Sequence, residues 1–369
     1  MKTRTPYSIF DSFTAGTPFA LTKVKFNEIL ARYSELHRRF HTMAHVMSFM
    51  SPLEESNDWW KDEGIGREFF PYFRAEYATA ALFHDVVYDP RSKVNELKSI
   101  ELFCSTYGVP RGISDGRKDE FSFTRVIDLI ASTARHDTTV VYFKPFCEMD
   151  MSGLFRMDTD IPADEMKIFQ EYQFCSLDVY RKGRIEFLES VIGTTEYPSV
   201  IRERIRFVKN FRPRIGIFAG SFNPFHVGHM NVIRKAERMF DKVLVCCGRN
   251  VGKGEQPFVD EDRYKSVCAT LPFHQVVHWS GLLTDLVTET EKLGAEVHLV
   301  KGFRTDHDIP YEMALLWHMR RLKPDLSVVY IPCDHEYVYI SSSSIRELRK
   351  FSAPTAEFEV HDYDYAKNS

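Results

Sequence analysis

The stretch "GSFNPFHVGHM", residues 220–230, contains a serine, two histidines three residues apart and a glycine between the histidines. A β-rich run, "RIGIFAG", precedes it and a helical pattern, "HMNVIRKAERMF", overlaps its end, so we predict a strand-to-helix turn. The backbone N–H groups and the dipole of a helix that begins at such a turn attract an anion. Ser221 and His229 can each donate to a phosphate oxygen, and Gly228 leaves room for a ligand. The stretch therefore suggests phosphate binding, although an isolated H-x-G-H is more often an ordinary turn.

A second group of candidate residues lies near the N-terminus. His37, His41 and His45 are spaced by four, which predicts one stripe on the long helix "FNEILARYSELHRRFHTMAHVMSFM". Such a stripe is usually a packing or exposed face, so these three histidines alone indicate little. The apolar helix "AEYATAALFHDVVYD" contains His84 and Asp85, and burial of this pair without partners would be costly. A bound metal would account for the pair.

The elements that must position these residues change in character near residue 212. Before it, the apolar residues recur at helical spacing. After it, short apolar runs alternate with helical stretches, which is the pattern of a parallel sheet covered by helices. The runs are "RIGIFAG", "KVLVCCG", "HQVVHW", "EVHLVKG" and "LSVVYIP". We therefore predict an all-α domain over residues 1–211 and an α/β, Rossmann-like domain with a five-stranded parallel sheet over residues 212–369.

Composition narrows the classes of function. A chain of 369 residues has room for two domains, and a net charge of −4 gives no support to a general role on nucleic acids or membrane surfaces. The seven cysteines are scattered without a C-x-x-C pair, which favours reduced thiols and a cytoplasmic location. We expect neither a signal peptide nor a membrane span, because no sufficiently long apolar run occurs.

Residues 213–350 resemble the nucleotidyltransferase superfamily that carries H-x-G-H signatures, and within it the phosphopantetheine adenylyltransferases. "GSFNPFHVGHMNVIRKAERMFDKVLV" is similar to that family's first strand, loop, helix and second strand. "KGFRTDHDIPYEMALLWHMRRLKPDLSVVYIP" is similar to its central segment, and "YISSSSIREL" to its late serine loop. The resemblance implies transfer of AMP from ATP, with Mg²⁺, to 4′-phosphopantetheine, giving dephospho-coenzyme A and pyrophosphate. The implied partners are small molecules and further copies of the chain, since the family is usually oligomeric.

The resemblance also implies roles for particular residues. Ser221 would hold the attacking phosphate and His229 the α-phosphate, while Lys253 would act as a mobile cation. Ser342 and Ser343 would grip the β- and γ-phosphates at the start of a helix whose capping box we expect over residues 344–347. The other residues implied in catalysis or nucleotide binding are Lys301, Arg304, Gly220, Phe222, His226, Gly228, Glu312 and Arg346.

Two positions depart from the family pattern. His226 stands where the family usually has a threonine-like residue, and Lys301 stands where it usually has arginine. Lysine offers a point charge in place of a two-contact fork, so the acceptor side of the site is altered. "GSFNPFHVGH" also resembles nicotinamide and nicotinate mononucleotide adenylyltransferases, which leaves NAD synthesis as an alternative.

Residues 25–208 resemble an uncharacterised HD branch of metal-dependent phosphohydrolases. The similar segments are "RRFHTMAHVMSF", "ALFHDVVYDP", "NELKS" and "EMDMSGLF". The resemblance implies a divalent ion such as Mn, Mg, Fe, Co or Ni and hydrolysis of a phosphate ester, which is most simply a nucleotide or related small molecule. By motif, the ligands would be His45, His84, Asp85 and Asp150.

Additional residues could complete this centre. His41 and His136 are candidate further ligands or phosphate contacts, and Glu96 is a candidate outer-shell residue or general base. Glu148 stands where the branch often has an aspartate. The alternatives are a helical domain that senses a nucleotide without cleaving it, a helical domain in which these residues are structural, and a pure scaffold. Nothing in the sequence beyond the fusion itself links the two expected activities.

Overall fold

A computed structural model describes residues 4–55, 70–109, 122–136, 142–155, 160–195, 197–248, 257–305 and 308–360. The chain divides into two compact units. One, the helical unit, contains the described residues of Met1–Asp160 and Thr195–Ile201. The other, the α/β unit, contains those of Ile161–Thr194 and Arg202–Asp364.

The helical unit is built around one apolar helix. Its helices are α1 (Pro6–Thr14), α2 (Lys23–Arg32), α3 (Met43–Glu55), α4 (Phe70–Phe83), α5 (Asn95–Tyr107), α6 (Phe123–Ser132), α7 (Lys144–Asp150) and α8 (Ser152–Phe155). Helix α4 packs against α1, α3 and α6, and Tyr77, Ala80 and Phe83 on it are fully buried. Because side chains on several faces of α4 are buried, its sequence is apolar with little amphipathic periodicity. The helix ends directly before His84 and Asp85, which places this pair at the edge of the core.

The single long helix that we predicted through the N-terminal histidines is wrong. Helix α2 ends at Arg32 and α3 begins at Met43, so His37 and His41 lie in the connection between them. The buried guanidinium of Arg38 donates to the backbone carbonyls of Asp85 and Val86, at 2.7 and 3.1 Å. These bonds anchor the connection to the end of α4 in a non-helical path. Only His45 of the expected stripe is on a helix.

The α/β unit contains the five-stranded parallel sheet that the sequence predicted. The strands are β1 (Arg214–Gly220), β2 (Lys242–Gly248), β3 (Gln275–Trp279), β4 (Glu296–Phe303) and β5 (Val328–Pro332), in the order β3-β2-β1-β4-β5. The division between the two units falls within α11 (Pro198–Asn210), after Ile201. The other helices of this unit are α9 (Ile161–Glu171), α10 (Leu177–Val191), α12 (Val227–Ala236), α13 (Pro257–Thr270), α14 (Leu283–Lys292), α15 (Asp308–Leu322) and α16 (Ser342–Lys350). The strand order reverses at β1 and β4, and such a switch point opens a crevice at the carboxyl ends of the two strands.

The α/β unit begins earlier than the boundary at residue 212 that the sequence suggested. The ammonium of buried Lys242, at the start of β2, donates to the carbonyls of Gln173 and Cys175. Buried Glu165 on α9 accepts from the guanidinium groups of Arg184 and Arg204, at 2.8 and 3.0 Å. These charged groups are buried and paired within the unit. Helices α9 and α10 therefore belong with the sheet.

Among the described residues, no helix combines the length and apolar character that crossing a membrane requires.

Candidate functional site

A cavity of 410 Å³ lies at the switch point of the sheet, where β1 and β4 end. Its walls come from the loop after β1, the first turn of α12, the end of β4, the first part of α15 and the start of α16. The predicted residues that line the cavity are Gly220, Ser221, Phe222, His226, Gly228, His229, Lys301, Arg304, Glu312, Ser342 and Ser343. Segments separated by more than one hundred residues thus meet in one crevice.

The loop after β1 turns sharply around the ring of Phe222. This residue is buried and has a φ of 45°, in the left-handed region that L residues rarely adopt. Its ring meets that of His229 edge to face, with centroids 5.0 Å apart. A Cβ at Gly220 would lie only 2.7 Å from the Phe222 ring, so glycine is required at the end of the strand. The turn thereby fixes the position of the Phe222 ring, against which His229 packs.

The two histidines of the H-x-G-H stretch form a stacked pair. Their ring centroids are 3.6 Å apart, and the backbone N–H of His226 donates to Nδ1 of His229 over 3.2 Å. Since Nδ1 of His229 accepts, the neutral ring carries its proton on Nε2. Nδ1 of His226 is buried and has no hydrogen-bond partner among the described residues.

Both imidazoles are neutral near pH 7. Burial, helped by the positive charge of Arg304, lowers the pKa of His226 to about 4. Burial lowers the pKa of His229 well below its usual value, and His226 and Arg304 add to the effect. His229 therefore offers the cavity an uncharged N–H donor.

Helix α16 is capped three residues earlier than predicted. Ser341, not Ser344, is the N-cap: its Oγ accepts from the N–H of Ser344 over 3.0 Å, and Ser344 Oγ accepts from the N–H of Ser341. Each of the four serines could cap a helix, so sequence could not fix the register. As a result Ser342 and Ser343 occupy the first turn, where backbone N–H groups lack intrahelical acceptors.

Helix α16 also pins the loop after β1. Ser342 Oγ donates to the carbonyl of Pro224 over 2.9 Å. Arg346, which does not line the cavity, donates from its guanidinium to the carbonyl of Asn223 and to Ser343 Oγ. These bonds hold the serine loop against the turn that carries His226 and His229, which is called the histidine turn below.

The cationic wall of the cavity consists of two ion pairs. Lys301 Nζ lies 3.4 Å from Glu312 Oε2, and both side chains are largely buried. Arg304 donates from Nη2 to Asp308 Oδ1 at 3.2 Å, and its backbone N–H donates to Asp308 Oδ2 at 3.0 Å. Burial opposes it, but these bonds from Arg304 lower the pKa of the Asp308 carboxyl. Lys253, the expected mobile cation, lies outside the described residues.

Sequence reasoning missed several residues of this cavity. Asp308 was detectable, because an acid four residues after Arg304 at a helix start can pair with it. Tyr337, Ile340 and Cys333 also line the wall, and nothing in their local sequence distinguishes them. Their positions follow from the path of the chain after β5.

The helical unit brings the predicted metal-ligand residues together. His45 on α3, and His84 and Asp85 after α4, place ligand atoms within 4.8 Å of one another, which fits one metal ion. Nε2 of His45 and Nε2 of His84 are 3.3 Å apart. Asp85 Oδ2 is 3.1 Å from His84 Nε2, and Asp150 Oδ1, at the end of α7, is 3.1 Å from His45 Nε2.

The donor chemistry of this cluster suits a cation. The Nδ1–H of His84 donates to the carbonyl of Ala81 over 2.9 Å, so Nε2, once deprotonated, directs its lone pair into the cluster. Although burial opposes it, the carboxylates of Asp85 and Asp150 raise the pKa of His84 to about 9. Against the opposing effect of burial, the imidazoles hold the pKa values of Asp85 and Asp150 well below their usual range. The site therefore favours added positive charge.

The remaining candidates of the helical unit have different positions. His136 Nε2 is 3.1 Å from Asp150 Oδ2, and His41 stacks on Tyr88 with centroids 4.3 Å apart and touches the ring of His45. Glu148 is half-exposed and pairs with Lys144, away from the cluster. Among the residues described, no contact joins Glu96 to the cluster.

Comparison with known proteins places the α/β unit in a family. Residues 217–348 match the family model described as cytidylyltransferase-like. Phosphopantetheine adenylyltransferase from Thiobacillus denitrificans is 34% identical over 149 residues, covering 39% of this chain and 89% of that protein. The enzyme of the same name from Streptococcus equi subsp. zooepidemicus is 37% identical over 145 residues, covering 38% of this chain and 84% of that protein.

A solved structure of a candidate nicotinate-nucleotide adenylyltransferase from Vibrio parahaemolyticus also matches, with 18% identity. The match covers 41% of this chain and 88% of the Vibrio chain, with a TM-score of 0.32. A TM-score this low carries no argument about fold or function. The matched residues 217–348 do not include the helical unit. Through its α/β unit, this chain belongs to the phosphopantetheine adenylyltransferase family of cytidylyltransferase-like nucleotidyltransferases.

Proposed function

We propose that the α/β unit transfers the adenylyl group of ATP to 4′-phosphopantetheine. A phosphate oxygen of the acceptor forms a bond to the α-phosphorus, the bond from that phosphorus to the bridging oxygen breaks, and pyrophosphate leaves with the electron pair. The observation that carries the proposal is the cavity at the switch point, in which a neutral histidine donor, a serine and two cations converge. The family membership of residues 217–348 supports the same reaction.

His229 is the group assigned to the α-phosphate. Its Nε2–H is directed by the bond at Nδ1, and its neutrality at pH 7 keeps it a fixed donor and not a proton source. Displacement at phosphorus concentrates charge on the non-bridging oxygens in the transition state, where a prepositioned donor stabilises it. The acceptor phosphate is already an anionic nucleophile, so the reaction needs no general base.

Two other parts of the cavity bind the remaining phosphates. Ser221 follows β1 and is assigned to the acceptor phosphate, near Lys301 on β4. The first-turn N–H groups of α16, at Ser342 and Ser343, are assigned to the β- and γ-phosphates, which a helix N-terminus favours. Lys253 is retained as the mobile cation of the proposal.

The acceptor is the part of the proposal most sensitive to the two departures from the family pattern. His226 and Lys301 both line the cavity. A mononucleotide acceptor, such as nicotinamide or nicotinate mononucleotide, is the second candidate because the pattern H-x-G-H is complete. Pantetheine phosphate is preferred because the curated relatives carry that specificity in their name.

The test supplies purified protein with ATP, Mg²⁺ and each acceptor separately, and identifies the products by mass spectrometry. Dephospho-coenzyme A with pyrophosphate is the expected result, and a dinucleotide would move the assignment to the second acceptor. His229→Asn should reduce kcat by about 100-fold or more, as loss of one preorganised donor does elsewhere. The matched control is His318→Asn, on the exposed side of α15. Absence of product from every acceptor would overturn the proposal.

For the helical unit we propose a divalent-metal phosphohydrolase centre. His45, His84, Asp85 and Asp150 would hold the ion, and their mutual distances carry this proposal. When bound, the ion would polarise a phosphate and activate a water. His136 bonds to Asp150 and orients its carboxylate, while His41 stands beside His45. Mn, Mg, Fe, Co and Ni all suit this mixed ligand set.

Metal analysis and a panel of phosphomonoesters and nucleotides test the second proposal. We expect about one equivalent of a divalent metal and metal-dependent phosphate release. Nucleotide binding without cleavage would favour a sensor in place of a hydrolase. A unit that binds no metal and cleaves nothing would overturn the assignment.

A further inference from the structure

The C-terminal segment (residues 355–360) crosses the histidine turn of the α/β unit. An isolated antiparallel β-bridge joins Glu359 to His226, the first histidine of H-x-G-H. The segment follows α16 in the chain. The family match ends at residue 348. The bridge therefore places a part of the chain that lies outside the match against the candidate active site.

Glu359 is fixed by both of its carboxylate oxygens. Oε1 accepts from Thr355 Oγ1 at 2.6 Å, and Oε2 lies 2.7 Å from Arg349 Nη2. The backbone N–H of Glu359 donates to the carbonyl of Ala356 over 3.2 Å, so the segment is a closed turn. Phe358 adds an edge-to-face contact with Tyr339, at a centroid distance of 6.4 Å. Glu359, which bridges to His226, is therefore held in place by its own turn and by Arg349 on α16.

The position of His226 determines that of His229. Its ring covers His229 at 3.6 Å, and its backbone N–H sets the tautomer of His229. The side-chain bonds from α16 reach residues earlier in the loop, from Ser342 to Pro224 and from Arg346 to Asn223. The β-bridge is the contact of this segment that acts on His226 itself.

We propose that the C-terminal segment is a positioning element for the histidine pair, with Glu359 as its positioning residue. Loosening Glu359 lets His226 move, and His229 then loses the acceptor bond that keeps its Nε2–H pointed at the α-phosphate. The inference rests on the proposed adenylyl transfer for its kinetic consequence, but its structural consequence is independent of that reaction.

Glu359→Ala is the test variant, and Glu357→Ala is the matched control because Glu357 is an exposed acid two residues earlier in the same turn. We expect Glu359→Ala to lower kcat about 10-fold with KM for ATP within about twofold, since small displacements of a reacting group cost rate more than binding. Glu359→Gln keeps one acceptor and should lose less. Partly exposed ion pairs contribute little to global stability, so the fold should be retained.

The second measurement is the side-chain ¹⁵N spectrum of His229, assigned with the His229→Asn variant. Wild type and Glu357→Ala should show one tautomer, protonated at Nε2, and Glu359→Ala should show a shift towards a mixture. If Glu359→Ala is poorly folded by circular dichroism, Thr355→Val removes a single bond to Glu359 and should show the same change in smaller degree.

The outcomes separate the two proposals. Unchanged kcat together with an unchanged His229 tautomer in Glu359→Ala would overturn the role of the segment. A wild-type protein that forms no product would overturn the proposed function, and the ¹⁵N comparison would then decide the positioning role alone. An equal loss in Glu357→Ala and Glu359→Ala would also count against it, because of these two acids it is Glu359 that is bridged to His226.

Discussion

The Nε2 atoms of His45 and His84 face each other at 3.3 Å in the helical unit, with carboxylate oxygens of Asp85 and Asp150 at 3.1 Å. Two neutral imidazoles gain nothing from this approach unless a proton or a metal ion lies between their lone pairs. The positions of these nitrogen and oxygen atoms thus support a cation site more strongly than the presence of histidine and aspartate in the sequence does.

The first prediction is that His84→Ala abolishes high-affinity metal binding. Wild-type protein, stripped with a chelator, should bind about one equivalent of Mn²⁺ in a calorimetric titration, and His84→Ala should bind it at least about 100-fold more weakly. Loss of a ligand should exceed the 10- to 100-fold effect typical of an outer-shell change. His318→Ala is the control. Equal Mn²⁺ affinity in wild type and His84→Ala would refute the centre.

The second prediction concerns Arg38, whose guanidinium donates to the carbonyls of Asp85, Val86 and His41. Arg38→Met would remove this donor from one buried and two partly buried bonds, and a buried acceptor left unsatisfied costs about 1–3 kcal/mol. We expect the helical unit to lose about 3 kcal/mol or more of stability, visible as an earlier transition in differential scanning calorimetry. The control is Arg39→Met, since Arg39 is adjacent and exposed. Equal shifts in both variants would rule out a specific clamp.

Arg38 also explains where sequence reasoning failed. Helical spacing continues through residues 33–42, and no proline or glycine interrupts it. The helix is broken because the buried guanidinium finds its acceptors at the end of α4, a tertiary interaction that local periodicity cannot reveal. The five strands were predictable because fully buried parallel strands are nearly continuous apolar runs. Their spatial order was not, since it depends on how the helices pack.

In the α/β cavity, the identity of the motif residues was predictable, but the contacts that orient them were not. The sequence identified Ser221 and His229 from a strand-to-helix turn. It could not show that the N–H of His226 selects the tautomer of His229, because this depends on a side-chain orientation. Four consecutive serines likewise left the start of α16 ambiguous by three residues, until Ser341 was seen as the cap.

The third prediction follows from the pKa of His226, which burial lowers to about 4 from an ordinary 6.5. The folded ring stays neutral while the unfolded ring takes up a proton below about pH 6.5, so stability falls as the pH drops from about 6.5 to about 4. The difference corresponds to about 3 kcal/mol as an upper figure. His226→Gln should flatten the melting temperature of the α/β unit across this pH range relative to wild type. An unchanged slope would contradict the assignment.

The fourth prediction concerns Lys301, which lines the cavity and lies 3.4 Å from Glu312. If its ammonium holds the acceptor phosphate, Lys301→Met should raise KM for the acceptor about 10-fold or more, with a much smaller change in KM for ATP. Lys301→Arg should retain activity, because a guanidinium supplies the same charge with two contacts. The measurement is steady-state kinetics with each substrate varied in turn, with Lys323→Met as the control for a lysine outside the cavity. Equal KM values for the acceptor in wild type and Lys301→Met would remove Lys301 from the acceptor site and leave Arg304 as the cation that binds it.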